Sequence, residues 1–492
     1  MSHYTANSVG EPTGGLSVLF TVLCVVDLFG VFPVITLPKS VISCGIYAIP
    51  LVLSVFGLQL YTAVLLGKSW LLAQEITPYI RDKNRFPYAA VAELAFGSPA
   101  KKLVTFLIDA AIFGSGVPNL IIAAQTLQIF WWKISGGMVR VTYCVWMAVL
   151  ALLLCPVTWL GSPKDMKPLA VSSVFIVSTV AVTTWTCIVG DDVSPPSAET
   201  VMDLKPDIQN YLIAYGILAF QFDIHPMLLT LQVDMKDSRK INLAVLGGFG
   251  FTGLLFTVTT VLAGLRYGND VNNNILQTLP PTIPLYMVAL LVTLQLCLSC
   301  AVSNSPLFQH IEDYLKVPRN FCFQRCIVRS SILLLAVLLA EAVPRFDLVM
   351  GLVGSTLTGP LMFVCPPLFF LRLCYMKSQM RSDIKGNRVR TNDATHTSTN
   401  AIDLPKNPLI SLTQHTTYNT FENATEIVDE YGIKWYDVAL ALVVMIIGML
   451  ATLLATYSSW SDSIEYASFS PPCLMNASEA ARAFLQAPAL NV

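Results

Sequence analysis

Apolar stretches of about 20 residues or more, separated by short polar connectors, recur along this chain, and the ~30 Å core of a bilayer demands about that length of helix. The pattern predicts eleven spanning helices, near 16–44, 47–73, 103–132, 139–160, 168–190, 208–233, 241–265, 283–307, 327–343, 347–375 and 435–457. Two of them are interrupted. The first carries Gly30, Pro33 and Pro38 in its middle, and the sixth carries the run Phe220-Gln221-Phe222-Asp223-Ile224-His225-Pro226. Non-helical backbone at membrane depth is tolerated only where protein buries it or where it lines a cavity. Interrupted helices at matching places in two halves of a chain mark the binding site of a secondary transporter. Spans 1–5 and 6–10 put the two breaks in matching places, so the expected fold is an all-α membrane protein built as a 5+5 inverted repeat, with span 11 outside it.

Composition agrees with this division. Hydrophobic residues make up 54% of the 492 and charged residues only 12%, about half the usual share for a soluble domain, and the mean hydropathy is +0.62. A formal net charge of −1 argues against nucleic acid or an acidic partner. Cys24, Cys44, Cys144, Cys155, Cys187, Cys297, Cys300 and Cys365 are scattered through apolar segments without metal-ligand spacing. They are expected to act as small hydrophobes. No cleavable signal peptide is expected, because the first fifteen residues lack Lys and Arg and the apolar run after them is too long.

Basic residues set the orientation. Of the 30 Lys and Arg, 23 fall on the side of loops 2–3, 4–5, 6–7, 8–9 and 10–11. By the positive-inside rule that side is cytoplasmic. Residues 1–15 then form a cytoplasmic tail, 16–375 the transporter core, and 458–492 an extracellular or lumenal tail. Loop 376–434 is polar and reads as a disordered cytoplasmic insert. It carries Tyr418-Asn-Thr-Phe421, a pattern that fits a sorting-adaptor signal, and the sequon at Asn423. A second sequon at Asn476 lies on the lumenal side and is the expected glycosylation site. The host is the plasma membrane or an endolysosomal or vesicular membrane.

Ionisable residues inside spans are functional candidates, because a charge is costly there. Asp27 precedes the first break, where it could cap backbone N–H groups or serve as a cation or proton site. Lys39 follows the break and could snorkel to the interface or pair with Asp27 or Asp223. Asp109 in span 3 is expected to satisfy a neighbouring helix. Asp223 and His225 lie in the sixth-helix break, and a histidine's titration range suits proton coupling. The breaks themselves offer free N–H groups to a carboxylate and free carbonyls to an ammonium or a cation. Gly30, Val31, Phe32, Pro33, Phe220, Gln221, Phe222 and Asp223 are therefore the expected substrate contacts.

At these residues the chain resembles the amino acid/auxin permease family, which includes sodium-coupled neutral, proton-coupled and vesicular inhibitory amino acid transporters. Thr36-Leu37-Pro38 followed by Gly45 looks like the signature after the first break. Ala219 to Pro226 is similar to the sixth-helix motif of the sodium-coupled branch. Met235-Lys236, Asn274-Ile275-Leu276 with Leu279-Pro280, Gly351 to Ser355 and Pro366 to Leu371 follow in the family's order. The resemblance implies a LeuT-like fold, alternating access and an amino acid substrate. Three departures stand out. Val31, Phe32 and Pro33 replace the family's Gly-Ser/Thr-Gly, so the transported amino acid should be small or should bind weakly. Asp27 stands near an Asn of the sodium-coupled branch. The Thr that ligates sodium in helix 8 of that branch has Cys297 or Ser299 as its counterpart, and sulfur is a poor ligand for a hard cation. The expected function is amino acid transport with no cofactor, proton-coupled through Asp27 and His225 or uncoupled. The alternatives are a sodium-coupled symporter using Ser299 and an amino-acid-sensing transceptor. No nucleotide motif or nucleophile constellation points to an enzyme.

Overall fold

A computed structural model describes residues 15–83, 86–135, 141–159, 166–192, 208–318, 321–343, 345–396 and 435–466. In chain order the helices are α1 (Val18–Phe29), α2 (Phe32–Ile35), α3 (Leu37–Ile42), α4 (Ala48–Ile76), α5 (Pro87–Phe96), α6 (Ser98–Ile134), α7 (Tyr143–Trp159), α8 (Met166–Val189) and α9 (Ile208–Gln221). There follow α10 (His225–Asp234), α11 (Ile241–Tyr267), α12 (Ile275–Thr278), α13 (Ile283–Ser303), α14 (Ser305–Tyr314), α15 (Phe323–Ala342), α16 (Phe346–Val353), α17 (Cys365–His396) and α18 (Trp435–Tyr466). Among the described residues, nine helical stretches, counting α9 with α10, α13 with α14 and α16 with α17 as one each, are long and apolar enough to cross a membrane, and α1 and α7 are shorter apolar helices. A twelve-residue helix such as α1 rises only about 18 Å, so it needs α2 and α3 to continue it. Leu19, Leu53, Leu152, Phe175, Leu254 and Leu453 are exposed on the outer surface. Lipid is the solvent such a surface requires.

The two broken helices lie at the centre. α1 packs on α8 and α11, α9 on α4, α16 and α18, and α13 on α6 and α8. Ser17 caps α1 by accepting from the Phe20 amide. Just before it, Leu16 forms a parallel bridge with Met235, with Leu16 N–H donating to the Asp234 carbonyl at 2.7 Å and Lys236 N–H to the Leu16 carbonyl at 3.0 Å. The start of α1 is thereby tied to the end of α10. Between α16 and α17 the chain winds through two π-helical stretches, Gly354–Thr358 and Pro360–Val364. Wider π turns free backbone carbonyls, and the Tyr88 hydroxyl donates to that of Leu361.

The structure departs from the sequence reading in three places. The loop expected to begin at 376 begins as helix, because α17 continues to His396. Loss of apolar residues marks where a helix leaves lipid, which need not be where it ends. Lys377, beyond the apolar part, pairs with Glu75 of α4 at 2.9 Å. α18 likewise runs to Tyr466, past the expected end at 457. Cys144, expected as a small hydrophobe, is disulfide-bonded. It is the second residue of α7, at the helix end, where an oxidising compartment could reach it. Tyr418 to Phe421, Asn423 and Asn476 lie outside the described residues.

Candidate functional site

The first break is made by Gly30, whose φ of +60 turns the chain out of α1. That is the left-handed region where glycine pays no steric penalty. A Cβ there would also lie 3.0 Å from the Gln295 amide nitrogen. Pro33 and Pro38 do not interrupt the helix themselves. They occupy the first turns of α2 and α3, where proline's missing N–H is harmless. The sixth-helix break spans Phe222 to Ile224, and Pro226 lies in the first turn of α10.

Backbone groups freed by the breaks are satisfied by amide side chains from elsewhere, as buried polar groups must be. Gln221 Nε2 donates to the Phe29 carbonyl at 2.9 Å and so joins one break to the other. Gln59 Nε2, from α4, donates to the Leu218 and Ala219 carbonyls at 3.3 and 3.2 Å. Asp223 accepts from the His225 amide at 3.1 Å and fills the start of α10.

A cavity of about 120 Å³ lies where the breaks meet. Of the expected substrate contacts, Gly30, Phe32, Phe220, Gln221 and Asp223 line it, as do Asp27 and Ser299. Val31, Pro33 and Phe222 are not part of its wall. Val31 and Phe222 are fully buried. The Phe222 ring meets Phe29 at 5.2 Å, Phe56 at 4.7 Å and Phe249 at 6.0 Å between centroids. It anchors the break against α4 and α11 by aromatic packing. Cys297 is also absent from the wall. The remaining polar lining comes from Ser115, Asn119, Gln295, Ser303 and Thr358, none of which the sequence reading selected. A signal existed for two of them. Asn119 and Gln295 are amides deep within apolar runs, and Asn119 follows Pro118, which cannot bond the Gly114 carbonyl within α6.

Asp27 lies in the last turn of α1, where unpaired backbone groups are carbonyls and the helix dipole is negative. Capping N–H groups of α1 is therefore not open to it. Its carboxylate takes a hydrogen bond from the Ser173 hydroxyl of α8. Gln295 Nε2 in turn donates to Ser173 Oγ at 3.4 Å. The imidazole of His225 is fully buried and is not part of the cavity wall. Thr62 Oγ1 is bonded to the carbonyls of Leu58 and Gln59 at 3.0 and 3.1 Å. His225 Nε2 shares a further hydrogen bond with Thr62 Oγ1 at 3.0 Å, its direction set by the tautomer of the ring. Nδ1 is left without a hydrogen-bond partner, 3.6 Å from an Asp223 oxygen. That is beyond a hydrogen bond but within Coulomb reach.

Two other candidates lie elsewhere. Lys39 Nζ donates to the Asn269 carbonyl at 2.7 Å, not to Asp27 or Asp223. Asp109 bonds His310 of α14.

Comparison with known proteins supplies the family. Residues 16–385 match the family described as transmembrane amino acid transporter protein. Amino acid transporter AVT1B of Arabidopsis thaliana is 23% identical over 59% of this chain and 54% of its own length. Amino acid transporter AVT1I of the same plant is 22% identical over 69% of this chain and 82% of its own. Sodium-coupled neutral amino acid transporter 4 of Pongo abelii is 26% identical over 34% of this chain and 31% of its own. The chain thus spans about half the length of the first relative and most of the second. In structure it is similar to MhsT, solved in complex with L-phenylalanine, with a TM-score of 0.51 and 12% identity over 91% of this chain and 99% of that one. This likeness gives a LeuT-like, all-helical fold. With the family match running through both broken helices and the cavity between them, the chain belongs to the transmembrane amino acid transporter family.

Proposed function

We propose that this protein carries a small amino acid, or a compound built like one, across a membrane by alternating access. The substrate occupies the cavity between the two breaks, with a proton on Asp27 as the coupling ion or with no coupling ion at all. The observation that carries this is the cavity itself, lined by Gly30 and Phe32 of the first break and by Gln221 and Asp223 of the second. Counting α1 to α3 and α7 as spans gives eleven in a 5+5 arrangement plus one. The Leu16–Met235 bridge would make α1 and α10 move together. The bare Nδ1 of His225 beside Asp223 is a second place where a proton could rest. Asp27, Ser299 and Ser303 also bring hard oxygen atoms to the cavity wall, which keeps sodium as the second reading.

Size supports a small substrate. An engineered cavity of about 150 Å³ holds benzene, and the space here is about 120 Å³, with the buried Phe32 ring in its wall. The test is uptake by purified protein in proteoliposomes of a panel of small amino acids and their amides, with sodium or choline outside. Phe32→Gly is expected to admit larger members of the panel that the wild type excludes. Binding without uptake would favour a transceptor, and neither binding nor uptake of any member would end the proposal.

The orientation with a cytoplasmic N-terminus draws support from Cys144. The basic-residue count puts its end of α7 on the extracellular or lumenal side, where disulfides persist. Asn476→Gln is expected to abolish a glycosidase-sensitive mobility shift that Asn423→Gln leaves intact. The reverse result would overturn the orientation.

A further inference from the structure

One cysteine stands apart from the rest. The chain has 12 cysteines. Ten of them are free thiols among the described residues, and Cys144 is disulfide-bonded. The sequence holds one more, Cys473, which lies outside the described residues. The free thiols fit their surroundings. Cys322, Cys326 and Cys374 fall on the side rich in basic residues, where a reducing cytoplasm keeps thiols free. Cys44 and Cys187, near the opposite ends of their helices, are buried. Cys44 Sγ meets the Ser40 carbonyl at 3.4 Å and Cys187 Sγ the Thr282 hydroxyl at 4.0 Å.

Topology brings Cys144 and Cys473 to one side. Cys144 is the second residue of α7. Cys473 follows Tyr466, the last residue of α18, by seven positions. Between the two the chain passes through α7, α8, α9 with α10, α11, α13 with α14, α15, α16 with α17, and α18. These make eight crossings, an even number, so the start of α7 and the end of α18 face the same compartment whichever way the bundle is inserted. The basic residues put that compartment outside the cytoplasm, where disulfides persist. Seven extended residues reach at most about 25 Å, and packed helices stand about 8–10 Å apart. A tail of that length can cross two neighbouring helices.

From this we infer that Cys473 is the partner of Cys144, and that their disulfide straps the C-terminal tail to the first turn of α7. Two S–H bonds break and one S–S bond forms. The two electrons and two protons pass to a disulfide of a lumenal oxidoreductase, which becomes a dithiol. The strap joins parts of the bundle that have different neighbours. α7 packs on α6 and α15, whereas α18 packs on α9, α16, α17 and the π turns. The bond takes from the transport reading only its number of spans, and it holds whatever the substrate.

The test is a disulfide map of the purified full chain. Free thiols are alkylated with N-ethylmaleimide without reductant, and the protein is cut with chymotrypsin, which separates Cys144 from Cys155 at Trp146. Mass spectrometry is expected to find a linked peptide pair holding Cys144 and Cys473, unalkylated at both and lost on reduction. An alkylated Cys144, or Cys144 linked to another cysteine or to Cys144 of a second copy, overturns the inference. Cys144→Ser gives a second reading in intact cells or vesicles. It should open Cys473 to a membrane-impermeant maleimide that does not label Cys473 in the wild type. Equal labelling of Cys473 in the two proteins overturns the inference. The wild-type map decides it even if the variant does not fold. Uptake is a separate readout. A chain with the bond and no uptake leaves the strap standing and ends the transport reading, and uptake without the bond does the reverse.

Discussion

Replacing Asp27 by asparagine is expected to flatten the pH dependence of uptake while leaving the amount of folded, membrane-inserted protein unchanged. The wild type should take up substrate faster as the external pH falls from about 7.5 to about 5.5, by at most about tenfold per unit for a single proton. The reason is local. Asp27 is a carboxylate at membrane depth, at the negative end of α1, with a serine hydroxyl as its bonded partner. A charge so placed is costly and is relieved by a proton or another cation. Asparagine has nearly the same shape and accepts the same hydrogen bond from Ser173, but it cannot take up a proton. Uptake measured in proteoliposomes at a series of external pH values reads the effect. A variant that keeps the wild-type profile would show that the carboxylate is structural and that any proton rides elsewhere, with His225 the next group to replace.

Gly354→Ala should be as damaging by a different route. A Cβ on Gly354 would fall 2.0 Å from the Gly216 carbonyl oxygen and 2.8 Å from Phe220 Cβ. The first of these is backbone, so no rotamer change relieves it. α9 would have to move away from the π turn, and the cavity residues Phe220 and Gln221 at its end would move with it. Overpacking of this kind costs about 1–3 kcal/mol and sometimes more. A lowered unfolding temperature in detergent is expected together with lost uptake. Gly57→Ala is the matched control, since nothing lies within 4 Å of a Cβ there. By helix propensity alone it should be neutral or gain up to about 1 kcal/mol. A Gly354→Ala protein as stable and active as the control would mean that α9 and the π turn are not held in register by these glycines.

Much of this was legible in residues that violate their surroundings. Gly30, Pro226 and the charges of Asp27 and Asp223 stand out because a lipid-spanning helix does not tolerate breakers or carboxylates without a reason. The same logic failed for residues that fit their surroundings. Phe222 is one more aromatic residue in an apolar run, and only packing reveals that it faces Phe56 and Phe249 and not the cavity. Pro33 resembles a breaker but occupies a first turn, where it breaks nothing. The π turns at Gly354–Thr358 leave no mark that separates them from α-helix. What does set them apart is tertiary: Gly354 lies against Gly216, on a helix more than a hundred residues away.

The string of residues therefore determined the class of molecule, the approximate spans and the places where two helices break, because each depends on local composition and local backbone preference. The chemistry of the site was decided by tertiary contact. Gln59, Gln221, Gln295, Ser173 and Thr62 acquire their roles through partners on other helices. Which way an amide points is set by the carbonyl or hydroxyl it meets. The rotation of each helix about its axis, which packing alone fixes, decides which atoms meet.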